Sequence, residues 1–173
     1  MAKTKAEKAV IIEKLESGLK NAASGVFVHF SKITVAEESA VRRGLRASGV
    51  SYVVAKKTLI RRALENLGLK HDELPLDGEV AVAYGGGEDA TAPARLVHEF
   101  GKKLRDASTA LGASKLMILG GVFEGKLMGK AQMQEIATIP SLQALRGMFA
   151  NIINSPIQRF AIGLNEVAKT KSQ

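Results

Sequence analysis

Strand-like and helix-like stretches alternate from residue 6 to residue 128, and this alternation limits the fold more than any other feature of the chain. Amphipathic helical spacing recurs in four segments, at residues 6–22, 35–47, 58–68 and 91–106. Apolar and β-branched strand patterns lie between these segments, at residues 24–30, 50–55, 79–84 and 115–128. This order predicts an α/β layered sandwich, in which helices cover a small sheet of four or five strands.

The first strand pattern, SGVFVHF (24–30), is too continuously apolar for an exposed edge, so we expect it at the centre of the sheet. Thr34 and Thr91 each precede a helical segment and are suited to cap it, and Pro93 fits the first turn of the second.

Glycines interrupt the later strand patterns. The stretch KLMILGGVFEGKLM (115–128) predicts two short strands around Gly120 and Gly121, either as a hairpin or as a bulged strand. Gly85, Gly86 and Gly87 are expected to end the strand at 79–84, and the acidic stretch before that strand predicts a turn-rich connection.

Only helical patterns follow Pro140. The pattern over 141–170 is interrupted at Pro156, and because proline removes an interior donor we expect a kink or a new helix there. The chain is therefore predicted to form two domains, an α/β domain at 1–135 and a protruding helical spine at 136–173.

Composition is typical of a cytosolic protein. The chain has no apolar run of about 18 residues or more, and MAKTKAEKAV at its start has no apolar segment, which argues against a membrane span or signal peptide. The absence of cysteine excludes disulfides and thiol chemistry. Net charge is +8 over residues 1–62, −3 over 63–135 and +3 over 136–173. A basic surface so localised favours a polyanionic partner, and the alternative is a basic surface that serves solubility.

No motif supports an enzyme, a metal site or a cofactor. The triple glycine at 85–87 lacks the lysine and hydroxyl spacing of a phosphate-binding loop, and Glu88 and Asp89 follow it. His29, His71 and His98 are widely separated, and no serine lies in a nucleophile elbow.

Cationic residues are concentrated where the second strand pattern meets the third helix. Lys56 and Lys57 lie at the expected helix start, where free N–H groups and the positive end of the helix dipole favour an anion, and Arg61 and Arg62 follow one turn later. With two tyrosines, six phenylalanines and no tryptophan, the chain offers no evident aromatic platform for single-stranded bases. We therefore expect phosphates of a folded RNA or DNA to be bound by shape and charge.

A narrow apolar seam follows Pro156, and we name it the C-terminal seam. Its spacing indicates a helix that meets another helix, either from a partner or from its own domain. The residues of the C-terminal seam are Ile157, Phe160, Ala161, Leu164, Val167 and Ala168.

The segment VFVHFSKITVAEESAVRRGLRASGVSYVVAKKTLIRRALE (26–65), followed by VAVAY and GGVFEGKLM, resembles the bacterial large-subunit ribosomal protein ten family, which forms the base of the ribosomal stalk. The resemblance covers essentially the whole chain in order, and KTLIRRA (57–63) is its most specific part. The family usually has asparagine before this threonine, whereas Lys57 stands here. The resemblance implies a non-enzymatic, cytoplasmic, ribosome-bound scaffold.

The resemblance also implies partners. The first domain is expected to bind the GTPase-associated region of large-subunit rRNA beside ribosomal protein eleven, and to bind its own messenger leader. The C-terminal helix is expected to carry dimers of the acidic stalk protein seven/twelve, which recruit translational GTPases. The stretch from 156 to 170 spans about 22 Å, which favours two dimers over three. The alternative is a generic nucleic-acid-binding module whose terminal helix serves dimerisation.

The rRNA-binding residues implied by this resemblance and by the cluster are Lys3, Lys5, Lys8, Ser31, Lys32, Arg42, Arg43, Arg46, Lys56, Lys57, Thr58, Arg61 and Arg62. The C-terminal seam is the implied stalk-protein site.

Overall fold

The computed structural model describes residues 5–69, 78–85, 89–104 and 115–171, and these form a mixed α/β fold with a long C-terminal helix. The strands are β1 (Ser24–Phe30), β2 (Val50–Val54), β3 (Glu79–Gly85), β4 (Leu116–Phe123) and β5 (Lys126–Gly129). The helices are α1 (Lys5–Asn21), α2 (Val35–Ala47), α3 (Lys57–Asn66), α4 (Ala92–Lys103), α5 (Lys130–Thr138) and α6 (Leu142–Lys171). The α/β fold class expected from the alternating patterns is confirmed.

The five strands form one antiparallel sheet in the order β2-β3-β1-β4-β5. The first strand therefore lies at the centre, as its continuous apolar run predicted, and its residues Ser24 to Val28 are buried. It pairs along its whole length with β3 on one side and with β4 on the other.

Helices pack on both faces of this sheet. On one face, Phe27 of β1 lies in a core with Leu15 of α1 and Leu64 of α3. On the other face, the neighbouring residues Val26 and Val28 pack with residues of α2, α4 and α5. Because successive strand residues point to opposite faces, the unbroken apolar run of β1 supplies both cores of a three-layer sandwich.

The stretch 115–128 forms two strands, β4 and β5, joined as a hairpin, as one alternative predicted, but they do not divide at Gly120 and Gly121. Strand β4 runs through both glycines, and the register with β1 shifts there, since Val28 pairs with Ile118 and Phe27 with Gly120. The extra residue, Leu119, forms a β-bulge, so the bulged strand is present as well as the hairpin. The hairpin turn lies further on, at Glu124 and Gly125, whose φ angles of 50° and 75° suit a two-residue turn.

The start of α2 is fixed by a capping box, as Thr34 predicted. The Thr34 hydroxyl accepts from the Glu37 N–H at 3.3 Å, and the Glu37 carboxylate accepts from the Thr34 N–H at 2.8 Å. Lys115, just before β4, donates to the other oxygen of Glu37 at 2.9 Å and so joins α2 to the sheet. Thr91, by contrast, precedes α4 without a side-chain cap bond, because its backbone is helical rather than extended.

The chain divides into two compact units, Met1–Ile139 and Pro140–Gln173. The expected boundary at 135/136 falls inside α5, a helix that the sequence patterns did not predict. Met133 and Ala137 of α5 are buried in the first unit's core. In the second unit, α6 continues through Pro156 as one helix of 30 residues, so the new helix that was one alternative there was wrong, and the kink stays a prediction. The acidic connection at 71–79 lies mostly outside the described residues, as do Gly86 and Gly87.

Gly121 offers a test of how closely β4 packs against the backbone of β1 and against Met133 of α5. A Cβ at this position would meet the Met133 methyl group and would lie 2.5 Å from the Gly25 carbonyl oxygen, which belongs to the backbone of β1. Gly121→Ala is therefore expected to destabilise the protein by about 1–3 kcal/mol in urea unfolding. Gly129→Ala is the matched control, because a Cβ there meets nothing within 4 Å and φ is −71°. Equal effects of the two substitutions would contradict the close packing.

The lowered pKa of Glu37 leads us to expect that the stability of the protein depends on pH. The backbone N–H of Thr34, and then the Lys115 ammonium and the Thr34 hydroxyl, lower the pKa of Glu37 from 4.5 to about 2. A folded-state pKa below the unfolded value contributes stability above pH 4.5, and this is lost as the pH falls towards 2. The stability difference between wild type and Glu37→Gln should therefore shrink across this window in urea titrations at fixed ionic strength. Glu135→Gln on α5 provides the control for charge, and a difference that stays constant with pH would refute the assignment.

Candidate nucleic-acid interface

An open groove lies at the end of the sheet where β1 and β2 finish. The last residue of β2, Val54, pairs with Ala81, whereas β1 continues to pair with β3 as far as Glu79. The chain leaves β2 at Ala55 to start α3, so Glu79 and Val80 have no strand partner on the β2 side within the described residues. This early departure opens a groove of about 770 Å³.

Cationic side chains from three parts of the fold line this groove. Lys8 comes from α1, Arg42 from α2, and Lys56 and Lys57 from the junction between β2 and α3. All four are exposed. Thr58 also lines the groove, so five of the residues expected to bind rRNA come together here. We name the surface formed by Lys8, Arg42, Lys56, Lys57 and Thr58 the basic groove.

The start of α3 adds backbone donors to the basic groove. Lys56 is the N-cap residue and makes no side-chain cap bond, and its carbonyl accepts from the N–H groups of Leu59 and Ile60 at 2.8 and 3.1 Å. The N–H groups of Lys57 and Thr58 have no acceptor in the part of the chain that the structure describes. Free N–H groups and the positive helix end favour an anion beside the two lysines.

Arg42 is held in place by its own neighbours. Its Nε and Nη2 atoms donate to Glu38 Oε1 at 3.0 and 2.6 Å, and its guanidinium lies 5.4 Å from the centroid of the Tyr52 ring. Burial, followed by the charge of Glu38, raises the pKa of Tyr52 to about 12, so the phenol stays neutral at physiological pH. The guanidinium is thus oriented before any ligand arrives, although part of its charge is already balanced.

Two further pairs of residues that were predicted to bind rRNA are close in sequence to residues that line the basic groove. Ser31 and Lys32 directly follow Phe30, which lines the groove, and both are exposed. Lys32 has a φ of 52°, which directs the chain out of β1 towards α2. Arg61 and Arg62 lie one turn into α3 on its exposed side, and neither makes an ion pair within the described ranges.

The remaining predicted residues are not brought together with these. Arg43 and Arg46 are exposed on α2 and do not line the groove, and Arg46 lies in the last turn of that helix. Lys3 lies outside the described residues, and Lys5 is described only as the first residue of α1.

Several groove residues were not predicted as part of a site. The apolar ones include Phe30, Val54 and Val80, and the acidic ones are Glu38 and Glu79. Sequence patterns assign such apolar residues to a core, because they do not reveal that β2 stops two residues short of β1. The signal that was available is the break from VSYVV to AKK, which marks where β2 ends.

Helix α6 has an apolar surface along its whole length, and none of its described residues is buried. The C-terminal seam is exposed as a set. A second group, which was not predicted as a site, continues this surface into the first half of the helix, and we name it the first-half surface. Its residues are Leu142, Leu145, Met148, Phe149, Ile152 and Ile153, with exposures between 40% and 68%.

Other kinds of site are not found in the described ranges. No group of three His, Asp or Glu side chains there is placed to hold a metal ion. None of the described helices is both long enough and apolar enough to span a bilayer.

Comparison with known proteins adds a family assignment to this geometry. The model of the family described as "Ribosomal protein L10" matches residues 3–102, which include the basic groove. The large ribosomal subunit protein uL10 of Shouchella clausii (strain KSM-K16) is 32% identical over 173 residues, covering all of this chain and 98% of that protein.

Proposed function

Because this chain belongs to the ribosomal protein L10 family, whose members are structural and non-enzymatic components of the large ribosomal subunit in translation, we propose that it forms the base of the ribosomal stalk. In this proposal the first unit binds large-subunit rRNA through the basic groove. The second unit carries dimers of the acidic stalk protein seven/twelve on α6. Ribosomal protein eleven lies beside the first unit on the rRNA, and the stalk dimers recruit translational GTPases.

The observation that carries the rRNA proposal is the convergence of cations from three elements. Lys8, Arg42, Lys56 and Lys57 are separated in sequence but line one groove, beside two uncommitted backbone N–H groups. Point charges and backbone donors at this density favour phosphate oxygens and give affinity that depends on salt. Arg61 and Arg62 extend the cationic surface along α3, so a run of successive phosphates fits it better than a single anion.

The apolar surface of α6 supports the stalk proposal. Soluble proteins rarely leave a long contiguous apolar surface without a partner, and an amphipathic helix commonly meets a partner helix through such residues. The unit around α6 is also basic, with four Lys and Arg against one Asp or Glu over residues 136–173, which complements an acidic protein. Within this 30-residue helix, the stretch from 156 to 170 that holds the C-terminal seam spans about 22 Å.

We keep two stalk dimers as the expected number, as the length of the seam favoured. The protein is proposed to be ribosome-bound in the cytoplasm, and the basic groove is the surface that would also bind its own messenger leader. Self-association of α6 in a generic nucleic-acid-binding module is the competing function, because the same exposed apolar residues suit a second copy of this chain.

Replacing Arg61 and Arg62 by alanine tests the rRNA face. Each lost phosphate contact is expected to lower the slope of log affinity against log salt by about 0.7–0.9, so the double variant should flatten the slope and weaken binding. The measurement is binding of the GTPase-associated rRNA fragment between about 50 and 200 mM salt. The matched control is Lys126→Ala with Lys130→Ala, which removes the same charge at the sheet edge opposite to β2. An unchanged slope for the arginine variant would move the rRNA face elsewhere.

Substitution in the C-terminal seam tests the stalk proposal. Phe160→Gln is expected to reduce uptake of the acidic stalk protein, because it places a polar group at an apolar helix contact. Ile162→Gln is the control on the same helix, since Ile162 is 58% exposed but lies outside the seam. Co-expression followed by native mass spectrometry should show two partner dimers per wild-type chain and fewer for Phe160→Gln. A homodimer of this chain without partner uptake would favour the competing function.

A further inference from the structure

We infer that the basic groove receives one unstacked nucleobase of the bound RNA, while the phosphates of that nucleotide and its neighbours lie against its cationic side chains. This inference rests on the proposed rRNA-binding function and adds a base-recognition step to it. The evidence is the groove's apolar floor, its size, its prepositioned arginine and its two carboxylates.

The groove has an apolar part, which we call its floor, formed by Ile11, Phe30, Val54, Leu59 and Val80. Val54 is 41% exposed although it belongs to a strand, whereas Leu59 and Val80 are 7% and 3% exposed. Phosphates bind to charges and N–H groups and gain nothing from such a floor. A nucleobase has flat apolar faces, and covering them with apolar side chains removes both surfaces from water. A nucleotide therefore matches a groove that is lined by both apolar and cationic side chains.

The size of the groove supports the same ligand class. A volume of about 770 Å³ is within the range of sites that enclose small molecules, roughly 300–1,000 Å³, and exceeds what a surface phosphate contact needs. Single-stranded loops and bulges in folded RNA are the regions that supply bases free to leave the stack.

Arg42 provides a planar surface at the groove. It lines the groove while its guanidinium lies over the Tyr52 ring and is bonded to Glu38. Bases stack on arginine planes as well as on aromatic rings. Because two partners already fix this guanidinium, a base that stacks on it does not have to order a mobile side chain.

The two carboxylates account for the choice of base. Glu38 and Glu79 line a surface that is otherwise suited to anions, where they oppose phosphate binding. A carboxylate accepts hydrogen bonds from amino groups, as in the pairing of Glu with the cytosine N4 amino group. We therefore expect cytosine, guanine or adenine in the groove in preference to uracil, which has no exocyclic amino group.

An abasic scan of the GTPase-associated rRNA fragment tests this inference. RNAs with a single base removed at each unpaired position are bound to the wild-type chain at fixed salt. At one position, removal of the base is expected to weaken RNA binding about tenfold or more. RNA with uracil at that position should bind more weakly than RNA with cytosine, guanine or adenine there.

Two protein variants link that position to the groove. Val54→Phe fills the groove from an exposed strand position. The intact RNA should therefore bind this variant about as weakly as the abasic RNA binds the wild type. Removing the base should not weaken binding to the variant any further. Met117→Phe is the control, an exposed residue of β4 that does not line the groove. Glu79 has an exposed side chain, and Glu79→Gln should reduce the difference in affinity between RNA with uracil and RNA with another base at that position. Circular dichroism should show that the fold is unchanged.

Distinct results would overturn the inference. If base removal weakens wild type and Val54→Phe by the same factor at every position, no base occupies the groove. If Val54→Phe leaves rRNA affinity unchanged but reduces retention of ribosomal protein eleven on the RNA, the groove is a protein-docking site instead. If the wild-type chain shows no salt-dependent rRNA binding, the proposed function itself is refuted. If binding depends on salt as expected but Val54→Phe has no effect on it, only the inference of a bound base is refuted.

Discussion

The first unit depends on the burial of β1 from every side. This strand pairs along its whole length with β3 and β4, and its alternating side chains supply the cores on both faces. Phe27 packs among residues of α1 and α3, while Val26 and Val28 pack among residues of α2, α4 and α5. Both edges of this central strand are paired and both faces are covered, which fixes its register with its neighbours. A shift of β1 by one residue would move each side chain to the opposite face and exchange the two cores.

That arrangement also determines where the cations meet. Because β1 and β2 run in the same direction on either side of β3, both finish at one end of the sheet, and α2 and α3 begin there. Lys8, in the early part of α1, lies at the same end. Several positive helix ends thus lie near the lysines of the basic groove, and their dipoles add to the side-chain charge. The early exit of β2 then leaves a groove that these cationic side chains line together with apolar ones.

Patterns in the sequence were reliable where local chemistry decides the outcome. The apolar run of 24–30 predicted a strand buried on both faces, and Thr34 predicted a capping box, because both signals are carried by residues within a short window. The predictions failed where tertiary contacts overrode local signals. Gly120 and Gly121 suggested a break, but close approach to Met133 and to the backbone of β1 explains why glycine occupies Gly121 within a continuous strand. Pro156 is a different case: of the kink and the new helix that it predicted, the new helix does not form, and no described residue of α6 is buried, so tertiary packing does not account for this.

The sequence by itself determined the order of the helices and strands up to Pro140 apart from α5, the localisation of positive charge and the apolar seam after Pro156. Each of these follows from periodicity or composition within a short window. Only the tertiary structure decided that Lys8 and Arg42 face the same groove as Lys57 while Arg46 does not. The reason is that a strand order with β3 between β2 and β1 joins residues far apart in the chain, and no local pattern encodes the register in which β1 and β2 pair with β3. Two residues of β3, Glu79 and Val80, are left unpaired by β2. Because of this gap, the cationic residues line a groove with an apolar floor and do not form only a phosphate-binding surface.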